Sequence, residues 1–422
     1  MAKKGNFAIM KHNELLELAN KIIHDIKTLE AARFSSRSFT RKRGMDFPQA
    51  LGFMLDMQKT TLQTRLNLFF ENTIGGNPIS QQAFSKLRMK FDHSPFEKLV
   101  RESVKKEYSG NYELPLWNGY HILGVDGSYL QLPRVDILRE SFGTRGNNNC
   151  PIAGNSVLFD ILHGWVIDPI ITTAYLNERA EFENHIDFLL SKLPNIASKS
   201  ILLGDRGYPS KDLINKLHNS NLKFLMRCSS SFTSEVNDAD MGDSTVLLAN
   251  GTKLRVVKFE LLSGEIEILI TNLFEFSTEQ IIGLYTLRWS VETEYFKLKR
   301  ELSVEKFSGE TPNSIRQDFW ASMFLLNSVA VFQHEADETV QKRQDNKSLK
   351  HAYRARTSDL IITLRNRFIF AVLCGHPSIA LPEINDVIQT MSRVVSPVRP
   401  SRSFPRNFRP YLVVKHNLKS RL

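Results

Sequence analysis

Cysteine is scarce in this sequence, and no segment of it repeats. The 422 residues include three isolated cysteines, Cys150, Cys228 and Cys374, and none of them lies in a CxxC pair. A disulfide framework and a structural zinc site therefore both lack their usual sequence pattern. We expect the three thiols to be buried or inert.

Long apolar runs are also missing. The most apolar segments, such as Phe368–Cys374 and Ile167–Leu176, fall far below the roughly 20 residues that a membrane-spanning helix needs. The first residues, from Met1 to Asn6, lack the apolar core and small-residue cleavage site of a secretory signal. These absences predict a cytoplasmic protein without a membrane partner.

Positive charge is in excess. Lys and Arg number 55 against 45 Asp and Glu, which gives a formal charge of +10 and a pI near 9.4. Such a balance favours a polyanionic partner such as nucleic acid, although it is a weak signal when taken alone. The length predicts two or three domains.

Residues 1–112 are predicted to form a helical, DNA-binding region. Helical spacing of apolar residues covers about 8–32 and 48–71, the breaker Gly75-Gly76-Asn77-Pro78 follows, and a short helix begins near Ser80. The last two helices suit a helix-turn-helix, or equally one part of a helical bundle. The short helix would then read DNA through its polar residues Gln81, Gln82, Lys86, Arg88 and Lys90. The basic stretch Arg33–Arg43 suits either phosphate contact or a solvated linker.

Residues 113–335 are predicted to form an α/β domain. Three short strands in 121–175 precede a helix at about 178–193, a buried strand at Ser200–Asp205, a helix and a further strand at 223–227. This order matches a ribonuclease-H-like catalytic core. A β-strand insertion at about 229–275 interrupts it, with Asn250-Gly251 and Ser263-Gly264 as turn signals. Residues 336–422 form a basic C-terminal region for DNA contact or dimerisation, which ends in a Pro- and Arg-rich arm at about 398–410.

Two aspartates end strands of the predicted core. Asp126 ends the first strand and Asp205 ends the fourth. Open α/β sheets bind their ligands at the carboxyl ends of their strands, so both residues are candidates for a site. Each one alone could equally be an ordinary turn or cap residue.

Four polar residues share one face of a predicted helix that starts after Ser277. On an α-helix, Tyr285, Arg288 and Lys299 all fall within about 40° of Glu292. An ordinary surface ion pair between Arg288 and Glu292 would explain part of this pattern. The alternative is that Glu292 joins the two aspartates at the edge of the sheet.

Three converging carboxylates repel one another, and cations relieve that repulsion. Hard oxygen ligands favour two Mg²⁺ ions, with Mn²⁺ as a substitute, in the arrangement that serves phosphoryl transfer. Arg288, Lys299 and Tyr285 would then hold phosphates beside the metals. The set predicts an enzyme that cuts or joins a phosphodiester chain, with Asp126, Asp205 and Glu292 as its catalytic metal ligands.

The three motifs together resemble a known family. Asp126-Gly-Ser, Asp205-Arg206-Gly207-Tyr208 and the Tyr285, Arg288, Glu292 and Lys299 spacing are similar to the catalytic blocks of the insertion sequence 4 family of bacterial DDE transposases. These enzymes carry a Tyr-Arg-Glu-Lys signature, and the resemblance covers roughly 120–307. Some relatives pass through a DNA hairpin and hold a flipped base with an aromatic residue of the β insertion, where this chain offers Phe232, Phe259 and Phe274 but no Trp.

The resemblance implies a function. Asp126, Asp205 and Glu292 would bind the metals, while Tyr285, Arg288 and Lys299 would hold the terminal phosphates of the element's DNA; we add the adjoining Arg206 and Trp289 to the DNA-binding set. The protein would bind the terminal inverted repeats of an insertion sequence and move it into target DNA by cut-and-paste transposition. A homodimer would hold two ends in a synaptic complex, in the bacterial cytoplasm at the nucleoid. The alternatives are a metal-dependent nuclease of the same fold and a non-catalytic, transposase-derived regulator that binds DNA.

Overall fold

The computed structural model describes residues 9–40, 44–56, 60–110, 112–146, 149–261, 263–288, 304–344, 351–373 and 377–398. Glu292, Lys299, Trp289, Cys374 and the arm from Arg399 onward lie outside these ranges, as do Arg41–Arg43. The described residues form two compact units. The first unit takes in 104–129 and 153–288, and the second takes in 9–103, 130–152 and the residues from 304 onward.

An eight-stranded mixed sheet organises the first unit. The strands are β1 (His121–Gln131), β2 (Ile152–Asp160), β3 (Trp165–Thr172), β4 (Ser200–Gly204), β5 (Lys223–Cys228), β6 (Gly242–Leu247), β7 (Lys253–Glu260) and β8 (Ile266–Thr271). They run in the order β3-β2-β1-β4-β5-β8-β7-β6, with β4 parallel to both β1 and β5. The pairs β2/β3, β5/β8, β8/β7 and β7/β6 are antiparallel.

The central strand β4 reads Ser-Ile-Leu-Leu-Gly and is buried along its whole length. A continuous apolar run of this kind is typical of a parallel strand that is covered on both faces. Around it, Ile122, Leu203, Leu225 and Leu269 pack into one core cluster with the apolar side of the helix that precedes Arg288. The predicted α/β class is therefore confirmed.

Short helices connect the strands of this unit. They are α8 (Glu178–Lys192), α9 (Pro194–Ala197), α10 (Lys211–Asn219), α11 (Ser234–Asn237) and α12 (Thr278–Thr286). The sequence predicted three antiparallel strands within 229–275, and β6, β7 and β8 lie there. They continue the main sheet through the pairing of β8 with β5.

Helices form most of the second unit, and the end of one of them, from residue 104 onward, belongs to the first unit. They are α1 (His12–His24), α2 (Ile26–Ala32), α3 (Phe47–Met54), α4 (Leu62–Phe69), α5 (Gln81–Arg88), α6 (Ser94–Ser109), α7 (Asp136–Phe142), α13 (Pro312–Gln344), α14 (Thr357–Leu373) and α15 (Pro377–Met391). A π-helical turn, Phe70–Ile74, ends at Gly75, where a positive φ of 74° requires the glycine that the sequence offers. Two short strands, β9 (Tyr353–Ala355) and β10 (Val395–Pro397), pair antiparallel.

One candidate DNA reader of α5 is part of the interior. Arg88 is only 2% exposed and donates hydrogen bonds to Gln317, Ser308, Asp318 and the Ser314 carbonyl, all at 2.7–3.1 Å. The expectation that Arg88 reads DNA is therefore wrong, because its guanidinium is fully engaged in packing α5 against α13. Lys86 and Lys90 of the same segment are exposed.

Two cysteines behave as expected. Cys150 and Cys228 are both buried, and burial raises the pKa of the Cys228 thiol to about 12. A thiol with this pKa is protonated and unreactive at neutral pH. None of the helices in the described ranges has the length and apolar content needed to cross a membrane.

Candidate active site

Asp126 and Asp205 lie side by side just beyond the last paired residues of β1 and β4. The expectation that Asp126 ends the first strand is wrong, because β1 continues through Gln131 after its pairing with β4 stops at Gly124. In the parallel pair β1/β4, His121 lies opposite Ser200 and Gly124 opposite Leu203, so each partner stands 79 positions further along the chain. The same offset takes Asp126 to Asp205, and neighbouring strands are about 4.8 Å apart. Both aspartates are half-buried. The structure thus brings together the two acids that the sequence selected.

The turn after β4 holds the Asp205 carboxylate. Its Oδ1 accepts a hydrogen bond from the Arg206 backbone N–H at 2.7 Å and lies 3.5 Å from the Tyr285 hydroxyl, which is the long limit for such a bond. Tyr208 N–H donates to the Asp205 carbonyl at 3.1 Å and closes the turn. The carboxylate therefore faces the helix that carries Tyr285.

Tyr285 and Arg288 lie together, although not in one unbroken helix. The helix α12 ends at Thr286, and the Arg288 N–H donates to the Tyr285 carbonyl at 3.0 Å in a tighter turn. Both side chains are 5% exposed, and the Arg288 guanidinium carbon lies 5.8 Å from the centre of the Tyr285 ring. The prediction of a continuous helix from Ser277 through Lys299 is wrong at this point, and its remainder lies outside the described residues.

Burial sets the ionisation of Tyr285. Burial raises the pKa of the phenol well above its ordinary value, the Arg288 charge opposes the rise, and Asp205 adds to it. The phenol is therefore neutral near pH 7 and can donate a hydrogen bond to an anion. The same edge holds Glu267, whose pKa is raised by burial and which lies 3.5 Å from the Arg227 guanidinium.

Glu178 is a third acid at this edge that the sequence analysis did not select. A Cβ on Gly127 would lie 3.2 Å from the Glu178 Cγ, and a Cβ on Gly207 would lie 3.3 Å from its Oε2. These two glycines follow Asp126 and Asp205 closely, so the Glu178 side chain lies between the Gly127 segment of β1 and the turn after β4. The signal was available in the sequence, since an acid at the start of a helix after β3 must face the same end of the sheet.

A buried tyrosine lies among these acids. Tyr208 is 2% exposed, its ring packs 5.1 Å from that of Phe182, and its hydroxyl has no hydrogen-bond partner within the described ranges. Burial raises the pKa of this phenol well above its ordinary value, and three surrounding carboxylates add to the rise, while the Arg288 charge lowers it. The carboxylates are those of Asp126, Glu178 and Asp205.

A buried hydrogen-bond chain fixes the helix that carries Glu178. The Ser156 hydroxyl of β2 lies 3.0 Å from His185 Nε2 of α8, and His185 Nδ1 lies 2.6 Å from the Asp168 carboxylate of β3. All three side chains are at most 2% exposed. No substrate can reach this serine, so the chain serves to pin α8 on the sheet. His185 is seven residues after Glu178, which puts both on one face of the helix.

The acids fit a divalent cation by their chemistry. Asp126 and Asp205 offer only hard oxygen donors, and their like charges repel unless a cation intervenes. Among the residues that the structure describes, no group of three His, Cys, Asp or Glu side chains has the arrangement of a metal site. The predicted third ligand, Glu292, lies outside those residues, as do Lys299 and Trp289. Arg206 is exposed beside Asp205.

Comparison with known proteins indicates the class of protein. Residues 119–328 match the family model described as the transposase DDE domain. A probable transposase for an insertion sequence element of Geobacillus stearothermophilus is 31% identical over 127 residues, which make up 30% of this chain and 32% of that protein. The match thus spans about a third of that relative's length.

The fold is also similar to that of a solved transposase. The cryo-EM structure of the piggyBac transposase synaptic complex with hairpin DNA aligns with a TM-score of 0.52 over 91% of this chain and 88% of that one, at 12% identity. At this identity the likeness shows the ribonuclease-H-like fold alone. The family model and the Geobacillus relative support a DDE transposase, a class of domain that generally uses divalent metal ions. The narrower assignment to the insertion sequence 4 family stays a prediction.

Proposed function

We propose that this protein is a transposase that binds the ends of an insertion sequence and catalyses Mg²⁺-dependent DNA cleavage and strand transfer. The observation that carries the proposal is the β1/β4 register, which sets Asp126 beside Asp205 at the carboxyl edge of the sheet. Ligand sites of open α/β sheets occupy this edge. The matched transposase DDE domain includes both residues.

The carboxylates of Asp126, Asp205 and Glu292 would hold the metal. A bound pair of Mg²⁺ ions, or Mn²⁺ in their place, would supply an activated nucleophile and neutralise charge on the phosphate. Hydrolysis breaks the bond between phosphorus and the 3′ oxygen at the element end, and the released 3′-hydroxyl later attacks a target phosphate. Asp126 and Asp205 orient the site for both steps, because the paired strands fix their backbone.

Tyr285 and Arg288 would hold phosphate oxygens of the cut strand. The neutral Tyr285 phenol donates one hydrogen bond, and the buried Arg288 guanidinium can donate two parallel ones. Lys299 and Trp289 belong to the same set by their place in the motif, and Arg206 adds a cation next to Asp205. These contacts position the strand and carry no base specificity.

The partners follow from this chemistry. The formal charge of +10 favours binding to the terminal inverted repeats and to target DNA. A homodimer that pairs two element ends would bring both cuts into one complex, in the cytoplasm at the nucleoid of a bacterium.

A cleavage assay tests the proposal. Purified protein is mixed with a plasmid that carries the coding frame with its native flanking DNA, in Mg²⁺ or in EDTA. We expect excision of the element with Mg²⁺ only, with products that end at inverted repeats and carry 3′-hydroxyls. Random nicking of the plasmid would instead indicate a nuclease, and stable binding without any cleavage in Mg²⁺ or Mn²⁺ would indicate a regulator.

The two glycines that contact Glu178 give a prediction about its role. An alanine Cβ at Gly127 or Gly207 would lie 3.2–3.3 Å from the Glu178 side chain, and at Gly127 it would also lie 3.2 Å from Leu176 Cδ2. These neighbours, or the backbone beside Asp126 or Asp205, must therefore move by a few tenths of an ångström. We expect Gly127→Ala to slow cleavage by about tenfold, because small misplacements of reacting groups are costly. The added change Glu178→Asp shortens the side chain and should restore part of the rate.

Gly283→Ala is the matched control. A Cβ at Gly283 meets nothing within 4 Å, and alanine suits the helix interior better than glycine. Its cleavage rate should equal that of the natural protein. Natural rates for Gly127→Ala and Gly207→Ala would show that the space around the Glu178 side chain has no part in positioning the aspartates.

A further inference from the structure

A basic cavity lies beside the turn that carries Asp205. It has a volume of about 310 Å³ and is lined by Arg179, Arg206, Pro209, Ser210, Lys211, Ser229, Ser231 and Phe232. All of these residues belong to the first unit. The cavity is therefore bounded by the start of α8, the β4–α10 turn, the start of α10 and the loop after β5.

The lining fits an anion with several oxygen acceptors. Three cations and three hydroxyl groups face the cavity, and no carboxylate lines it. Within the described ranges, no Asp or Glu forms an ion pair with Arg179, Arg206 or Lys211. The Arg179 Nε–H instead donates a hydrogen bond to the Gly207 carbonyl oxygen, at 3.1 Å. Three cations that converge without an acid repel one another, and a bound anion relieves that repulsion.

The local backbone adds to the positive potential. Lys211 is the first residue of the nine-residue helix α10, whose N-cap Ser210 accepts a hydrogen bond from Leu213 N–H. The N-terminal end of a helix carries partial positive charge and favours phosphate groups. The half-buried Phe232 ring forms the one aromatic wall, against which sugar carbons can pack.

The volume of the cavity and the exposure of its lining residues indicate the class of ligand. A volume near 310 Å³ is at the lower end of the roughly 300–1,000 Å³ of small-ligand pockets, so it suits one nucleotide unit of a strand. Arg179, Arg206, Lys211 and Ser229 are all exposed, which leaves room for a chain to enter and leave. Arg206 directly follows Asp205, so the cavity adjoins the proposed metal ligands.

From this geometry we infer that the cavity binds a backbone phosphate of the DNA strand adjacent to the phosphate that is cut. The inference rests on the proposed function and extends it, because it assigns Arg179, Lys211, Ser229 and Ser231 to the DNA-binding surface. Lys211 and Arg206 donate to the phosphate oxygens, and the serine hydroxyls add further hydrogen bonds. The contact fixes the register of the strand and is independent of base identity.

The test measures how salt weakens binding of a fluorescein-labelled oligonucleotide to the full-length protein. Each phosphate neutralised by the protein adds about 0.7 to the log–log salt slope for single strands and about 0.9 for duplex DNA. We expect Lys211→Glu to lower the affinity for the oligonucleotide by about tenfold. We also expect it to reduce the salt slope by about the amount that one phosphate contributes. Lys211→Arg should keep both at their natural values. Glutamate in the first turn of a helix is favourable, so the variant should fold.

Lys192→Glu is the matched control, because Lys192 is an exposed lysine at the opposite end of α8. It makes the same change in net charge and should leave the slope unchanged. Equal slopes for Lys211→Glu and Lys192→Glu would overturn the assignment. So would tight binding of dAMP that is lost in Lys211→Glu while the oligonucleotide slope stays natural, since the cavity would then be a nucleotide site.

The outcomes separate this inference from the proposed function. Excision in Mg²⁺ together with a natural slope for Lys211→Glu rejects the cavity alone. A reduced slope in a protein that never cleaves DNA rejects the catalytic proposal and keeps the cavity as a phosphate site.

Discussion

Replacing Asp205 by Ala should reduce metal-dependent end cleavage by about 10³-fold or more, and Asp126→Ala should do the same. Metal ions contribute several kcal/mol to such reactions, and about 4 kcal/mol corresponds to a factor of about 10³ in rate. The β1/β4 register makes the two residues neighbours, and each would supply its own oxygen ligands to the metal, so the loss of either one should impair the site. The measurement is single-turnover cleavage of a DNA fragment that carries one element end.

Folding and DNA binding should survive these changes. Removing one of two neighbouring carboxylates relieves repulsion, so the melting temperature should stay the same or rise. Affinity for the uncut end should change little, because it arises mainly from Lys and Arg contacts to phosphates. Asp212→Asn, an exposed acid of α10, is the control and should cleave at the natural rate. Full cleavage by either alanine variant would remove that aspartate from the site.

Arg88→Ala should destabilise the protein by about 3–5 kcal/mol, because it leaves the Asp318 carboxylate buried without the Arg88 cation, although the hydrogen bonds from Ser308 remain. The Arg88 Nη2–Asp318 Oδ1 distance is 3.0 Å, and both side chains are at most 5% exposed. Three further hydrogen bonds, to Gln317, Ser308 and Ser314, are lost with the guanidinium. Chemical denaturation of the full chain, followed by circular dichroism, measures the change.

Lys86→Ala on the same helix is the control. Lys86 is exposed, has no ion pair within the described residues, and should change stability by less than about 0.5 kcal/mol. The pair of variants also separates packing from DNA reading. A stable Arg88→Ala protein that has lost affinity for DNA would restore Arg88 as a DNA contact and contradict the buried geometry.

The sequence was a good guide where local pattern and topology agree. The buried run Ser200–Gly204 and the turn signals around Asn250-Gly251 predicted strands that the structure contains, and the end of β4 located Asp205 before any pairing was known. Asp126 was placed beside it correctly, although β1 continues to Gln131. Their adjacency could be anticipated because parallel neighbours share one carboxyl edge.

Other features of the fold and the site depend on tertiary contacts, which the spacing of residues along the sequence does not reveal. Arg88 has the sequence character of a DNA reader, yet the partners that bury it stand more than 200 positions away. The Glu178 side chain has room because Gly127 of β1 and Gly207 of the turn after β4 both lack a Cβ. The early end of α12 at Thr286 was also missed, since the 3.6-residue pattern continues in the sequence beyond that point. The basic cavity combines four chain segments, none of which is unusual by itself.

A change of metal preference tests most directly the central claim, which is that Asp205 binds the catalytic metal. If Asp205 binds the metal, Asp205→Cys replaces a hard oxygen ligand by a thiolate, which Mg²⁺ disfavours and softer divalent ions accept more readily. The account predicts that this variant is inactive in Mg²⁺ and regains part of its end cleavage in Mn²⁺, while Asp212→Cys keeps the natural ratio of the two rates. If Asp205→Cys and the natural protein had the same ratio of the cleavage rate in Mn²⁺ to that in Mg²⁺, metal binding by Asp205 would be contradicted.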